Sequence, residues 1–216
     1  MKISAVIFDF DGTVVDSENE WGMAFTDVLK SLGYESLDKH PETTGVSLKK
    51  SWEILINKLN IKTDKDLGSL ETLTYNNYLN HLDSVSLKPG VTEFIENLKD
   101  SGVKTALATS TNWSIADRIM ENLGIKDFFD VLTTGEEVMN QKPDPDILLI
   151  TAEKLEEKEE NCLVIEDSPS GVEAAHRAGM KVVAILSEEE DQKDLSGADC
   201  VVESFAEITP KMIEEL

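Results

Sequence analysis

Apolar positions along this chain follow two rhythms. Short runs rich in Val, Ile, Leu and Ala, without polar alternation, read as strands buried on both faces. They cover residues 4–10, 104–108, 131–133, 163–165, 182–185 and 200–202. Between most of them, apolar residues recur at helical spacing and a Gly follows. Val91, Phe94, Ile95 and Leu98 precede Gly102; Ile115, Ile119 and Leu123 precede Gly124; residues 170–178 precede Gly179. Strand, helix and strand repeated in this way predict right-handed crossovers and an α/β fold built on a doubly wound parallel sheet.

One interval breaks the rhythm. Between Phe10 and Lys104 lies far more chain than the dozen or so residues a crossover needs. Its patterns are helical. Ser17-Glu18-Asn19-Glu20 reads as a capping box opening a helix with Trp21, Phe25, Val28, Leu29 and Leu32 on one face. A second pattern covers 47–59, with Trp52, Leu55, Ile56 and Leu59 on its apolar face, and a third covers about 66–82. A Pro89-Gly90 turn brings the chain back. The expected organisation is a core domain, residues 1–15 and 84–216, with residues 16–83 inserted as a helical cap. Trp52, Leu55 and Ile56 are expected to form the core of that cap.

Composition narrows the chemistry. The chain of 216 residues is 40% hydrophobic and 29% charged, as a globular protein is, and it carries 43 acidic against 20 basic residues. The resulting formal charge of −23 repels polyanions, so nucleic acid and anionic membrane surfaces are excluded as expected partners, and a monomer is favoured. An anionic substrate must therefore meet a locally reversed field. Cys162 and Cys200 form no CxxC pair, and read as small hydrophobes in a reducing, cytoplasmic protein. Asp9 and Asp11 cut short the apolar N-terminal run, leaving it too short for a signal peptide or a membrane span.

In a doubly wound sheet, ligands bind beyond the carboxyl ends of the strands, where strand order reverses. The segments expected there are Asp9-Phe10-Asp11-Gly12-Thr13, Thr109-Ser110-Thr111-Asn112, Gln141-Lys142-Pro143-Asp144 and Glu166-Asp167-Ser168. Asp9 and Asp11, two apart on an extended segment, lean to the same side. Clustered carboxylates repel, by roughly 4 kcal/mol for two charges about 4 Å apart at an effective dielectric near 20. A hard cation with oxygen ligands relieves this, and Mg²⁺ is the natural choice. Lys142 adds a compact positive charge suited to a phosphoryl oxygen, and Thr109 with the backbone after it, at Ser110, adds hydrogen-bond donors.

Asp9-Phe10-Asp11-Gly12-Thr13-Val14-Val15-Asp16-Ser17-Glu18 resembles the DxDGTxxDSE signature of the haloacid dehalogenase superfamily. Thr109, Lys142-Pro143 and Glu166-Asp167 match its other motifs in order. The insertion after the first motif resembles the C1 cap of the β-phosphoglucomutase-like branch. The resemblance implies that Asp9 is a nucleophile forming an aspartyl-phosphate and that Asp11 is the general acid and base. It implies that Thr109 and Lys142 hold the phosphoryl group. Mg²⁺ would be bound by Asp9, the Asp11 carbonyl and Asp167, with Glu166 acting through water. The implied substrate is a small phosphorylated metabolite, and Trp21, Gly45, Asn76 and Asn112 are the candidate lining of its pocket.

Alternatives separate on single features. A phospho-receiver switch needs neither a large cap nor Asp11, a dinucleotide-binding oxidoreductase would carry GxGxxG after the first strand, and a dehalogenase has no leaving alkoxide to protonate. The close contest is phosphatase against sugar phosphomutase. Relatives resembling β-phosphoglucomutase carry a His where this chain has Trp21, and an Arg where Gly45-Val46-Ser47 is followed by Leu48. Arg118 and Arg177 are its only arginines, and both lie outside the insertion. Arg's bidentate fork is the better grip on a second phosphate, so hydrolysis is expected. Lys49 and Lys50 are the substitutes to consider for that grip. His40, His81 and His176 are too scattered for a metal cluster, and residues 188–191 read as a solvated turn.

Overall fold

A computed structural model describes residues 3–34, 47–186 and 195–216. Gly45, His40 and the acidic run 188–191 lie outside the described residues. The sheet strands are β1 (Ala5–Phe8), β4 (Lys104–Thr109), β5 (Val131–Thr134), β6 (Cys162–Glu166), β7 (Lys181–Ile185) and β8 (Cys200–Val202). All pair in parallel, in the order β5-β4-β1-β6-β7-β8. The direction of winding reverses beside β1, which places the carboxyl ends of β4, β1 and β6 side by side.

Helices α4 (Val91–Asp100), α5 (Trp113–Leu123), α6 (Asp146–Lys154) and α7 (Pro169–Arg177) complete the α/β unit, and α8 (Pro210–Glu215) follows the last strand. The sheet is covered on both faces, which is why its strands are continuous apolar runs. Phe8, Phe94, Ile95, Leu107, Ile119 and Ile165 belong to one buried cluster. Ile7, Ala106, Ile147, Leu148, Val164 and Ala175 belong to another. Side chains alternate across the sheet, so Phe8 and Ile7 of the same strand fall in different clusters. Helix α6 has no Gly immediately past its end, and for that reason the helix-then-Gly pattern passes over it.

The insertion contains α1 (Glu18–Ser31), α2 (Leu48–Leu59) and α3 (Leu67–Tyr78). Phe25, Val28, Leu29, Trp52, Leu55, Ile61 and Leu70 form a separate buried cluster among these helices, with Ile56 and Leu59 packed at its margin. Trp52 is fully buried because its indole N–H has a partner, donating to Thr74 Oγ1 at 2.9 Å. Where the chain leaves and re-enters the sheet layer, β2 (Val15–Asp16) pairs antiparallel with β3 (Ser86–Leu87). The Lys88 N–H donates to the Val14 carbonyl beside this short ribbon.

Two local expectations are corrected. The first strand ends at Phe8, not Phe10: the Asp9 N–H keeps one ladder bond to the Ile165 carbonyl, and the chain then turns. Gly12 has φ +82°, a conformation costly for other residues, and its N–H donates to the Val15 carbonyl. The capping box at Ser17 does not form. Ser17 has φ −131° and ψ 0°, and its hydroxyl makes no bond to the first turn of α1. That hydroxyl is engaged by Asp11.

Candidate active site

Asp9 is delivered by the end of β1, and Lys142 by the loop that follows β5. Lys142 Nζ lies 2.5 Å from Asp9 Oδ1 and 2.7 Å from Glu166 Oε1, and all three side chains are buried. Burial alone would lower the Lys142 ammonium, but the Asp9 and Glu166 carboxylates outweigh it and hold it above the usual lysine range. Burial pushes the Asp9 carboxyl up to about 7, against the pull of Lys142 and with the push of Glu166. The two shifts have different causes: burial raises Asp9 against the pull of Lys142, and the two carboxylates raise Lys142 against its burial.

Glu166 ends β6, and its side chain turns onto the start of α7. Its Oε2 accepts from the Asp167 N–H at 2.8 Å, the Ser168 N–H at 2.6 Å and the Ser168 hydroxyl at 2.8 Å. Both its oxygens are thus committed to protein donors. This geometry makes Glu166 a seat for Lys142 and for the β6–α7 turn, a task that the Glu-Asp pair alone does not disclose.

Asp167 is placed differently. Oδ1 accepts from Thr13 Oγ1 at 2.9 Å, whereas the buried Oδ2 has no hydrogen-bond partner. Burial, then Glu166 and Asp9, push this carboxyl well above the ordinary range. A buried carboxylate oxygen left without a donor, beside a second carboxylate, is a donor set that suits a hard cation. Gly12 leaves the space open: a Cβ there would sit 2.1 Å from Asp167 Oδ2. Among the described residues, no three His, Cys, Asp or Glu side chains gather into a metal cluster. Asp9 and Asp167 would need main-chain oxygen and water beside them, which fits Mg²⁺ better than a metal that wants a full protein cage.

Asp11 receives three donors. Oδ1 accepts from Ser17 Oγ at 2.7 Å and from the Trp21 indole N–H at 2.8 Å, and Oδ2 accepts from Thr111 Oγ1 at 2.7 Å. Ser17 and Trp21 belong to the insertion, and Thr111 to the core loop after β4. Trp21 stacks on Tyr78 of α3, with centroids 3.8 Å apart and planes at 11°, and meets the edge of Tyr75. Thr111 lies in a segment expected at this edge but with no role assigned to it, and Tyr75 and Tyr78 were not legible as site residues. Their signal is only the i, i+3 spacing of Tyr75 and Tyr78 on α3 and the nearness of Thr111 to Thr109 along the chain.

The remaining candidates divide. Thr109 and Ser110 lie at the end of β4, where Thr109 Oγ1 accepts from the Thr111 N–H at 3.0 Å and the buried Ser110 hydroxyl has no partner. Asn112 caps α5, its Oδ1 accepting from the Ile115 N–H at 3.1 Å, so its amide oxygen is already used locally. Asn76 lies on the exposed face of α3 with Ser69 and Thr72, whereas Tyr78 and Tyr75 of this helix reach the core, Tyr75 beside the Asn112 backbone. Residue 76 is rotated away because the buried stripe of α3 runs through Leu70, Thr74 and Tyr78. Lys50 is exposed and pairs with Glu53 at 3.1 Å, and Lys49 lies beside Glu71.

The chain is similar to known proteins over most of its length. The haloacid dehalogenase-like hydrolase family model matches residues 6–185. The chain is 37% identical over 205 residues to the phosphorylated carbohydrates phosphatase of Thermotoga maritima, covering 92% of this chain and 93% of that protein. It is 27% identical over 220 residues to the β-phosphoglucomutase of Bacillus subtilis, covering 99% and 95%. The crystal structure of β-phosphoglucomutase from Clostridium difficile matches with a TM-score of 0.87 at 26% identity, over 99% of this chain and 96% of that one. With its motif segments gathered at one edge of the parallel sheet and the family match running from β1 to β7, the protein belongs to the haloacid dehalogenase-like hydrolase family.

Proposed function

We propose that this hydrolase of phosphoric monoesters is a Mg²⁺-dependent phosphatase. It releases phosphate from small phosphorylated metabolites, sugar phosphates among them, through an aspartyl-phosphate on Asp9. The observation that carries this reading is the pairing of two differently held carboxylates. Asp9 is bound to a buried ammonium, and Asp11, two residues on, is held by neutral donors. One suits attack on phosphorus, and the other suits proton transfer.

In the first half-reaction a carboxylate oxygen of Asp9 attacks phosphorus and the bond to the leaving alcohol breaks. Asp11 gives its proton to the departing oxygen. In the second half, water attacks the aspartyl-phosphate and passes a proton to Asp11. Lys142 keeps Asp9 oriented and offsets negative charge at the phosphoryl group, and Thr109 and Ser110 supply donors to its oxygens. Asp9, Asp167 and the Asp11 carbonyl would hold Mg²⁺. When bound, the ion screens repulsion between Asp9 and the anionic substrate.

Residues 16–83 act as a cap over a core of residues 1–15 and 84–216, with the β2–β3 ribbon at the crossing points. We place the enzyme in the cytoplasm as a monomer; no helix among the described residues is long and apolar enough to cross a membrane. Hydrolysis is favoured over mutase chemistry by the surroundings of Asp11. Trp21 fills the position of the mutase His, the insertion carries no Arg, and Lys50 is paired with Glu53. A second phosphate would find no free guanidinium there.

The test is a set of sugar monophosphates incubated with Mg²⁺, scoring free phosphate and, for β-glucose 1-phosphate, coupled formation of glucose 6-phosphate. Phosphate release without need of a bisphosphate activator is expected. Efficient glucose 6-phosphate formation, stimulated by glucose 1,6-bisphosphate and with little free phosphate, would establish the mutase instead.

A further inference from the structure

We infer that Trp21 is a positioning residue that fixes which oxygen of Asp11 carries the transferred proton, assigning it to Oδ2. The inference rests on the phosphatase reading above and adds to it a role for a side chain of the insertion.

The argument begins with donor and acceptor capacity. An indole N–H only donates, so the oxygen facing it must always accept. Oδ1 of Asp11 accepts from this N–H and also from the Ser17 hydroxyl, at 2.8 and 2.7 Å. Protonating Oδ1 would turn it into a hydroxyl oxygen, a poorer acceptor for two donors already aimed at it. Oδ2 has a different neighbour. Thr111 donates to it at 2.7 Å, and a threonine hydroxyl rotates and also accepts. The proton therefore travels on Oδ2. The Thr111 N–H donates to Thr109 Oγ1, so the Oδ2 side is tied to the loop expected to hold the phosphoryl group.

The indole is itself held in place. It lies flat on Tyr78, which is buried, and Tyr75 meets its edge. Those two rings belong to α3, and Trp21 belongs to α1. Packing of the helical insertion is thereby converted into the orientation of a core carboxylate. In the cycle, the P–O bond breaks with its electron pair on the alcohol oxygen, which takes the proton from Oδ2. Asp11 is left as the three-donor carboxylate seen here. Attack by water on the aspartyl-phosphate then restores the proton to Oδ2 as the P–O bond to Asp9 breaks and inorganic phosphate forms.

A group that orients the acid matters in proportion to how much the leaving group needs a proton. An alkoxide from a sugar phosphate needs one, and acetate from acetyl phosphate does not. The experiment compares kcat/KM, which covers steps up to loss of the leaving group, for glucose 6-phosphate and acetyl phosphate. Wild type is set against Trp21→Phe. The ratio of sugar phosphate to acetyl phosphate should fall about tenfold in the variant, the rate equivalent of one hydrogen bond to a charged group. Replacing Trp21 by benzothienylalanine, which keeps the ring shape and removes only the N–H, should lower the ratio similarly even if Phe perturbs the stack. An unchanged ratio in both variants, with the two substrates affected equally or not at all, would overturn the inference. A wild-type enzyme inactive on acetyl phosphate and on every sugar monophosphate of the set above would refute the phosphatase reading itself, and this inference with it.

Discussion

A Cβ atom on Gly171 would lie 1.7 Å from Oε1 of Glu166. The absence of a side chain at Gly171 lets the Glu166 carboxylate rest against the first turn of α7, and Oε1 is the atom that holds Lys142. A helix residue with no side chain of its own thus decides where the active-site ammonium sits.

Gly171→Ala should therefore cost activity beyond its cost in stability. Relieving the clash displaces Glu166 and lets Lys142 drift from Asp9. We expect kcat to fall by about tenfold or more. Overpacking should also cost about 1–3 kcal/mol, read as a melting temperature lower by several degrees. Full turnover in the Ala variant would show that Glu166 does not position Lys142.

Asp9→Asn keeps shape and removes the nucleophile, so turnover should become undetectable while the fold survives. It should also change how metal-free stability depends on pH. The Asp9 carboxyl is raised by burial from 3.8 to about 7. The native state thus binds the proton more tightly than the unfolded chain does. Its contribution to stability is full below pH 3.8 and is lost as pH rises through about 7. Thermal melts in chelator should show wild type losing stability across that window, with a shallower slope for Asp9→Asn. Equal slopes would contradict the assignment.

Metal removal gives a separate check. Chelation should abolish phosphate release and Mg²⁺ should restore it, whereas Ca²⁺ should inhibit, because its larger and looser shell misplaces Asp9. Asp167→Ala removes the buried carboxylate oxygen that lacks a donor, and the Mg²⁺ concentration for half-maximal rate should rise sharply. Full activity in chelator would remove the metal from the mechanism.

Ser17 separates a sequence expectation from its structural correction. A capping serine replaced by Ala costs a helix about 1 kcal/mol. Here the hydroxyl serves Asp11 and no cap bond exists. Ser17→Ala should leave the melting temperature within about two degrees of wild type and lower kcat/KM for sugar phosphates severalfold. A large loss of stability with unchanged kcat/KM would restore the capping role.

The six buried strands, the long helical insertion and the Asp9, Asp11, Lys142 and Asp167 segments were all legible in the sequence, because each rests on local signals. A strand buried on both faces must be apolar throughout, and a helix shows its period. The charged residues stand out where an apolar run ends. Four other features were decided only by the tertiary structure. Phe10 does not extend β1, because Gly12 allows a tight turn that the hydrophobic run conceals. Ser17 has the right neighbours for a capping box, but Asp11 lies closer to hand than the helix's own N–H groups. Glu166 lies under Lys142 because Gly171, on the next helix, makes room for it there. Trp21 reaches Asp11 only once α3 supplies Tyr78 as its support. Hydrogen bonds and stacking contacts form between whatever groups the fold brings within a few ångströms. Sequence spacing orders such partners only within one element, and these partners come from different ones.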